Sequence, residues 1–191
     1  KTFRDILECL NDNDILVLAG SIPSTLPDTL YMRIMERMAR KDIKIIVDAT
    51  NDLLVNVLKY KPFLIKPNHH ELEEFCKKEL SSLEEIIEGA RIIQQKGALN
   101  VIVSMGKDGS LLVTKDGGVY RGNVPKGTLR NSVGAGDSMV AGIVSKLAVE
   151  EDLLTAYKYG ISSGSATAFS YDLCTETEVL TLLNEIIISK I

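Results

Sequence analysis

Apolar positions along the chain switch between two spacings, and the switches set out its elements. Residues 2–11 place Phe3, Ile6, Leu7 and Leu10 at helical intervals, and Ile15–Ala19 is an unbroken apolar run, which predicts a helix and then a buried strand. Helical spacing returns over residues 28–40 through Leu30, Ile34, Met35 and Met38. A second strand is expected at 43–48, a helix at 51–59, a short third strand at 63–65 and a helix at 71–78. Residues 83–96 form an amphipathic pattern with Ile86, Ile87, Ala90 and Ile93 on one side, closed by Gly97. A strand at 100–104 follows, then a glycine turn and a hairpin whose arms are 111–114 and 119–121. Three helices, 135–149, 152–170 and 177–188, complete the chain.

Strands alternating with helices through residue 104 call for an α/β layer with a mainly parallel sheet, and the late hairpin adds antiparallel strands at one side. The 191 residues, 45% of them hydrophobic, are enough for one domain with a substantial core. Charge narrows the partners: a net −4 without any basic block argues against a nucleic-acid surface. No apolar run approaches the length of a membrane span, so no membrane is expected either. Cys9, Cys76 and Cys174 are odd in number and widely spaced, without a C-x-x-C pair, and read as reduced thiols in a cytoplasmic chain. The neighbouring His69 and His70 point in different directions on a helix and have no third His to join, so they are not read as metal ligands.

Four polar stretches carry the candidate chemistry. The strongest is Gly134-Ala135-Gly136-Asp137, which opens a helix: three small residues let backbone N–H groups gather into an anion cradle, and Asp137 stands beside it as a base for an incoming hydroxyl. An N-cap with a flexible approach is an equal reading of the local pattern. Gly20-Ser21 leaves the first strand at the end where ligands collect, a candidate contact for a polar substrate, although an ordinary strand-to-helix connection accounts for it better. In Lys66-Pro67-Asn68-His69-His70-Glu71, Asn68 and Glu71 suit a hydrated Mg²⁺; a capping box Asn-x-x-Glu is the favoured local reading. Gly106 and Gly109 would admit a nucleotide close to the backbone, with Ser104 and Lys107 as polar contacts, against the competing reading of a plain turn. Small residues at 160–168 point to close helix packing, or to the wall of an adenine slot.

With those residues in place, the chain resembles the ribokinase-like (PfkB) carbohydrate kinases. The stretch 131–142, Asn-Ser-Val-Gly-Ala-Gly-Asp-Ser-Met-Val-Ala-Gly, is similar to the second signature of that family, and the Lys66 to Glu71 block, the Ser104 to Gly109 turn and residues 163–170 match in the expected order. The resemblance implies a three-layer α/β/α fold and phosphoryl transfer from ATP with Mg²⁺ to a small-molecule sugar phosphate. It implies Asp137 as catalytic base, Gly134, Ala135 and Gly136 as anion hole, and Glu71 near Mg²⁺ through water. ATP contacts would come from Lys66, Asn68, Ser104, Gly106, Lys107, Gly109, Ser163 and Ala166, and substrate contacts from Gly20 and Ser21. The wording of the signature is most like the branch acting on fructose 1-phosphate, with tagatose 6-phosphate kinases as the neighbouring branch. A non-catalytic nucleotide-binding module of the same fold is a further alternative, which Asp137 argues against, because a binder needs the amides but not the carboxylate. A Rossmann dehydrogenase is set low, since no G-x-G-x-x-G follows the first strand. Family members begin with strands, a glycine pair and a lid sheet that this chain lacks. The resemblance therefore implies the C-terminal, nucleotide-side part of one domain over residues 1–191, inactive alone, from a full-length homodimer.

Overall fold

The computed structural model describes residues 7–23, 25–49, 51–150 and 152–191. Of the helix expected over 2–11, residues 2–6 fall outside them. Two compact units divide the chain, Lys1–Ile102 and Val103–Ile191.

In the first unit, four apolar runs become strands: β1 (Ile15–Ala19), β2 (Lys44–Asp48), β3 (Leu64–Ile65) and β4 (Asn100–Ser104), the last crossing the division. They are parallel and stand in sequence order, with Ala19 level with Asp48, Val47 with Ile65, and Ile65 with Val101. Parallel strands are covered on both faces, and Ile46, Val47, Leu64, Ile65, Val101 and Ile102 are fully buried. At the edge, β1 leaves Val17 36% exposed.

The crossovers are helical. In α1 (Leu30–Met38) the buried positions Tyr31, Ile34, Met35 and Met38 repeat at helical spacing, as expected. Next come α2 (Asn51–Leu58) and α3 (His69–Cys76). The expected start of α3 at 71 is two residues late, because a complete capping box at Asn68 starts the helix at His69. Its end, expected at 78, comes at Cys76, where Lys77 turns left-handed with φ 54°. In α4 (Leu83–Gln95) Ser82 caps the first turn by accepting from the Glu85 N–H at 3.2 Å.

The second unit pairs β5 (Ser110–Val113) with β6 (Val119–Gly122), and β6 with β7 (Ile188–Lys190), all antiparallel. Its helices are α5 (Ala135–Glu150), α6 (Leu153–Phe169) and α7 (Glu176–Leu183). Here the expectation of one helix over 177–188 is corrected. The helix stops at Leu183, and the β-branched run Ile186-Ile187-Ile188 leads into β7, which sets Ser189 opposite Arg121. Hydrophobicity was a poor guide there, since isoleucine satisfies either spacing. Tyr157 of α6 is fully buried, its hydroxyl 2.8 Å from that of Ser110. Burial pushes this phenol far above the ordinary tyrosine range.

One terminus of α7 gives a pH prediction. The Glu178 carboxylate accepts from the Thr175 N–H at 2.7 Å and from the Ser170 hydroxyl at 2.7 Å. These bonds, the Thr175 backbone bond first, hold its pKa below the usual carboxylate value. A depressed folded pKa gives stability that is present above the unfolded value of about 4.3 and lost as pH falls through the folded one. Glu178→Gln is therefore expected to lower the melting temperature at pH 7, with the gap to the wild type closing below about pH 4. A gap that stays constant in melting curves across that range would contradict it.

Candidate active site

Each unit holds two of the four stretches singled out by sequence. In the first, Gly20 and Ser21 leave β1 exposed to solvent. The Gly20 N–H donates to the Asp48 carbonyl at 3.1 Å. The Tyr31 hydroxyl sits under this turn, 2.7 Å from the carbonyl oxygen of Ala19 and 3.1 Å from that of Gly20. One residue past β3, Lys66 is 5% exposed and its Nζ lies 3.2 Å from Asp48 Oδ1. The next polar pair is a cap: Asn68 Oδ1 accepts from the Glu71 N–H at 2.9 Å, and Glu71 Oε2 accepts from the Asn68 N–H at 2.8 Å. The local reading of Asn-x-x-Glu as a capping box is what the geometry has. His69 Nε2 lies 2.8 Å from the Leu80 carbonyl oxygen, and His70 faces Glu74 at 3.3 Å.

In the second unit, the turn into α5 is built by backbone geometry. Gly134 has φ 79°, a left-handed conformation that favours glycine, and Leu173 Cδ2 lies close to it, 2.9 Å from where a Cβ would stand. Asn131 Oδ1 accepts from the Val133 N–H at 3.0 Å, and the Arg130 and Asn131 amides both donate to the Ala168 carbonyl at the end of α6, at 2.9 and 3.2 Å. The turn is thereby tied to the end of α6. Of the amides around it, that of Ala135 donates to Ser132 O at 3.3 Å and that of Ser138 to Gly134 O at 2.8 Å. Among the described residues, the Gly134, Gly136 and Asp137 amides find no acceptor. Such first-turn donors, at the positive end of a 16-residue helix, suit an anion. The Asp137 carboxylate is exposed and has no hydrogen-bond or ion-pair partner among the described residues.

Around the turn, Leu129, Val133, Tyr171 and Leu173 are 67%, 77%, 83% and 63% exposed, and the Arg130 guanidinium lies 4.5 Å from the Tyr171 ring centre. This apolar rim was missed in the sequence; Tyr171 and Leu173 just past the end of α6 were its visible signal. The small residues of α6 have another place. Ser163 is 6% exposed and Ala166 2%, and a Cβ on Gly142 of α5 would lie 2.4 Å from Ser163 Oγ. Ser163 therefore lies in the α5–α6 packing, and Ala166 is buried one turn further along α6.

The turn before β5 is closed by the Met105 N–H donating to Gly109 O at 2.9 Å. Gly109 has φ 89°, and a Cβ would lie 2.2 Å from Gly122 O, so the close approach of β6 requires it. Gly106 and Lys107 are exposed, Ser104 is half-buried, and Lys107 lines a cleft of about 420 Å³ with Arg121, Asn123 and Ile187. Among the described residues no helix is long and apolar enough to cross a membrane, and no cluster of three or more His, Cys, Asp or Glu could hold a metal.

Residues 1–179 match the pfkB family of carbohydrate kinases. A 1-phosphofructokinase of Bacillus subtilis is 44% identical over the whole chain, which spans 63% of that protein. A D-tagatose-1-phosphate kinase of Bacillus licheniformis is 36% identical over 83% of the chain and 52% of its own length. Among solved structures, phosphofructokinase-2 of Escherichia coli in complex with fructose-6-phosphate superposes with a TM-score of 0.85 at 27% identity, over 94% of this chain and 58% of that one. Arabidopsis thaliana ribokinase complexed with ribose and ATP shares the fold alone, at a TM-score of 0.77 and 18% identity over 88% of this chain and 55% of that one. The α/β three-layer, ribokinase-like fold is that of this chain. The chain spans less than two thirds of the relatives it matches.

Proposed function

The chain belongs to the pfkB family of carbohydrate kinases, and we propose from this that the whole protein transfers the γ-phosphoryl group of ATP to fructose 1-phosphate, giving fructose 1,6-bisphosphate. The observation that carries the reading is the first turn of α5, where an exposed carboxylate stands beside backbone amides, neither with a partner among the described residues. Loose phosphoryl transfer asks for positioning and charge stabilisation more than covalent chemistry. Asp137 takes the proton of the attacking sugar hydroxyl. The Gly134, Gly136 and Asp137 amides hold the phosphoryl oxygens, with Ala135 shaping the turn. The apolar rim of Leu129, Val133, Tyr171 and Leu173 offers a face on which a purine can lie.

Glu71 spends Oε2 on the capping box, and a carboxylate with one oxygen committed fits Mg²⁺ held through water, since Mg²⁺ retains most of its hydration. When bound, the ion would offset the negative charge of the phosphate oxygens. Lys66 and Asn68 belong to the same proposed ATP side, and Gly20 and Ser21 to the substrate side. In this reading the chain is the C-terminal, nucleotide-side part of one kinase domain. The half-exposed apolar β1 supports this, as such a strand in a parallel sheet is ordinarily covered.

Substrate choice is tested by offering the whole protein fructose 1-phosphate, tagatose 1-phosphate and tagatose 6-phosphate at equal, sub-saturating concentration and identifying the products by phosphorus NMR. Preference for fructose 1-phosphate is expected. Preference for either tagatose phosphate would move the protein to a neighbouring specificity with the mechanism unchanged.

A further inference from the structure

The carboxyl ends of β1, β2 and β3 carry an ion pair whose acidic member, Asp48, the reaction above leaves without a role. Asp48 ends β2 and Lys66 follows β3, and the register that sets Val47 level with Ile65 brings them side by side. The Lys66 N–H also donates to Val47 O at 3.3 Å, so main chain and side chain hold the same junction. Lys66 is 5% exposed and Asp48 17%, with Nζ 3.2 Å from Oδ1. Tyr31 feels the acidic member: burial, and then the Asp48 charge, raise the pKa of the hydroxyl that braces Gly20.

Lysine is almost never buried this far unless paired. Pairing alone is a weak reason to keep it, because desolvation offsets most of the attraction, and apolar residues of similar volume often stabilise as well or better. The place is more telling. In open α/β sheets, ligands collect outside the carboxyl ends of the strands, and the pair lies there beside Gly20 and just ahead of Asn68.

We propose that Asp48 is a positioning residue that acts through Lys66, fixing the ammonium at the end of β3 so that it meets a phosphate oxygen of a substrate in one orientation. The proposal rests on the kinase reading. Without Asp48 the ammonium would be a buried charge with no counter-charge, and it would swing to water or lose its proton. The phosphate oxygen belongs either to ATP or to the sugar phosphate, and kinetics with each as the varied substrate separates the two.

The test uses Asp48→Asn, Lys66→Met, the double variant and Asp48→Glu in the whole protein. Each single change is expected to lower kcat/KM about 10- to 100-fold, and the double variant should be no worse than the worse single, as for residues acting as one unit. Asp48→Glu should recover most of the loss. The substrate whose KM rises is the one Lys66 meets. A purely structural pair would instead move the melting temperature and leave kcat/KM within about twofold, which would overturn the proposal, as would single effects that multiply in the double variant. If the wild-type protein turned over no sugar phosphate at all, the kinase reading itself would fall, and this one with it.

Discussion

Asp137→Asn in the whole protein should reduce kcat by about 10²- to 10⁴-fold, the range for a general base, while the dissociation constant of ATP changes little. The substitution keeps the size of the side chain and leaves the amides of the α5 turn in place, so nucleotide binding should survive it. What it removes is the acceptor for the sugar hydroxyl proton. The carboxylate is exposed and without a partner among the described residues, so only its attraction to the N-terminus of α5, about 0.3–1 kcal/mol, goes with it and the melting temperature should fall by no more than about 4 °C. Nucleotide titration, melting and steady-state turnover on one preparation check all three. Turnover within about threefold of the wild type would remove Asp137 from the role of base.

The second large effect is on folding. Gly142→Leu should lower the melting temperature by roughly 3–10 °C, as expected for overpacking by about 1–3 kcal/mol in a chain of this size. A Cβ at Gly142 would lie 2.4 Å from Ser163 Oγ and 2.7 Å from the Tyr159 carbonyl oxygen, and one at Gly160 would lie 2.5 Å from Ile143 Cγ1. The two helices approach too closely for any side chain at these positions. Ala141→Leu, one residue away on the exposed face, is the control, and should change stability by no more than about 0.5 kcal/mol. Equal effects of the two substitutions in thermal melts would contradict the packing read for Ser163.

That helix pair shows where the sequence stops being informative. Small residues at 160–168 say that something comes close; whether it is a helix or an adenine depends on the partner surface, which lies in α5. The strands were more legible. Five apolar residues in a row gave β1, and three between Asn100 and Ser104 gave β4, both with their observed bounds, because burial on both faces favours apolar residues along a parallel strand. The cap at Asn68 was legible as chemistry, although the hydrophobic spacing alone put the start of α3 two residues late.

Pairings distant in sequence were hidden. β7 exists because β6 offers it an edge, Arg121 opposite Ser189, and nothing within 184–191 announces that partner. Asp48 likewise looks like the polar end of a strand until the register places Lys66 beside it. At the α5 turn, the run Gly134-Ala135-Gly136 pointed to the cradle, yet which amides stay open is a matter of backbone direction: Ala135 donates within the turn, and Asp137 contributes its own N–H as well as its carboxylate.

The most direct test of the kinase account is ADP formation from Mg·ATP by the whole protein, measured with and without fructose 1-phosphate. The account predicts release that depends on the sugar phosphate and far exceeds the ATPase rate in its absence. ATP binding without any increase in ADP on adding fructose 1-phosphate or either tagatose phosphate would contradict it, and would favour a nucleotide-binding module of the same fold.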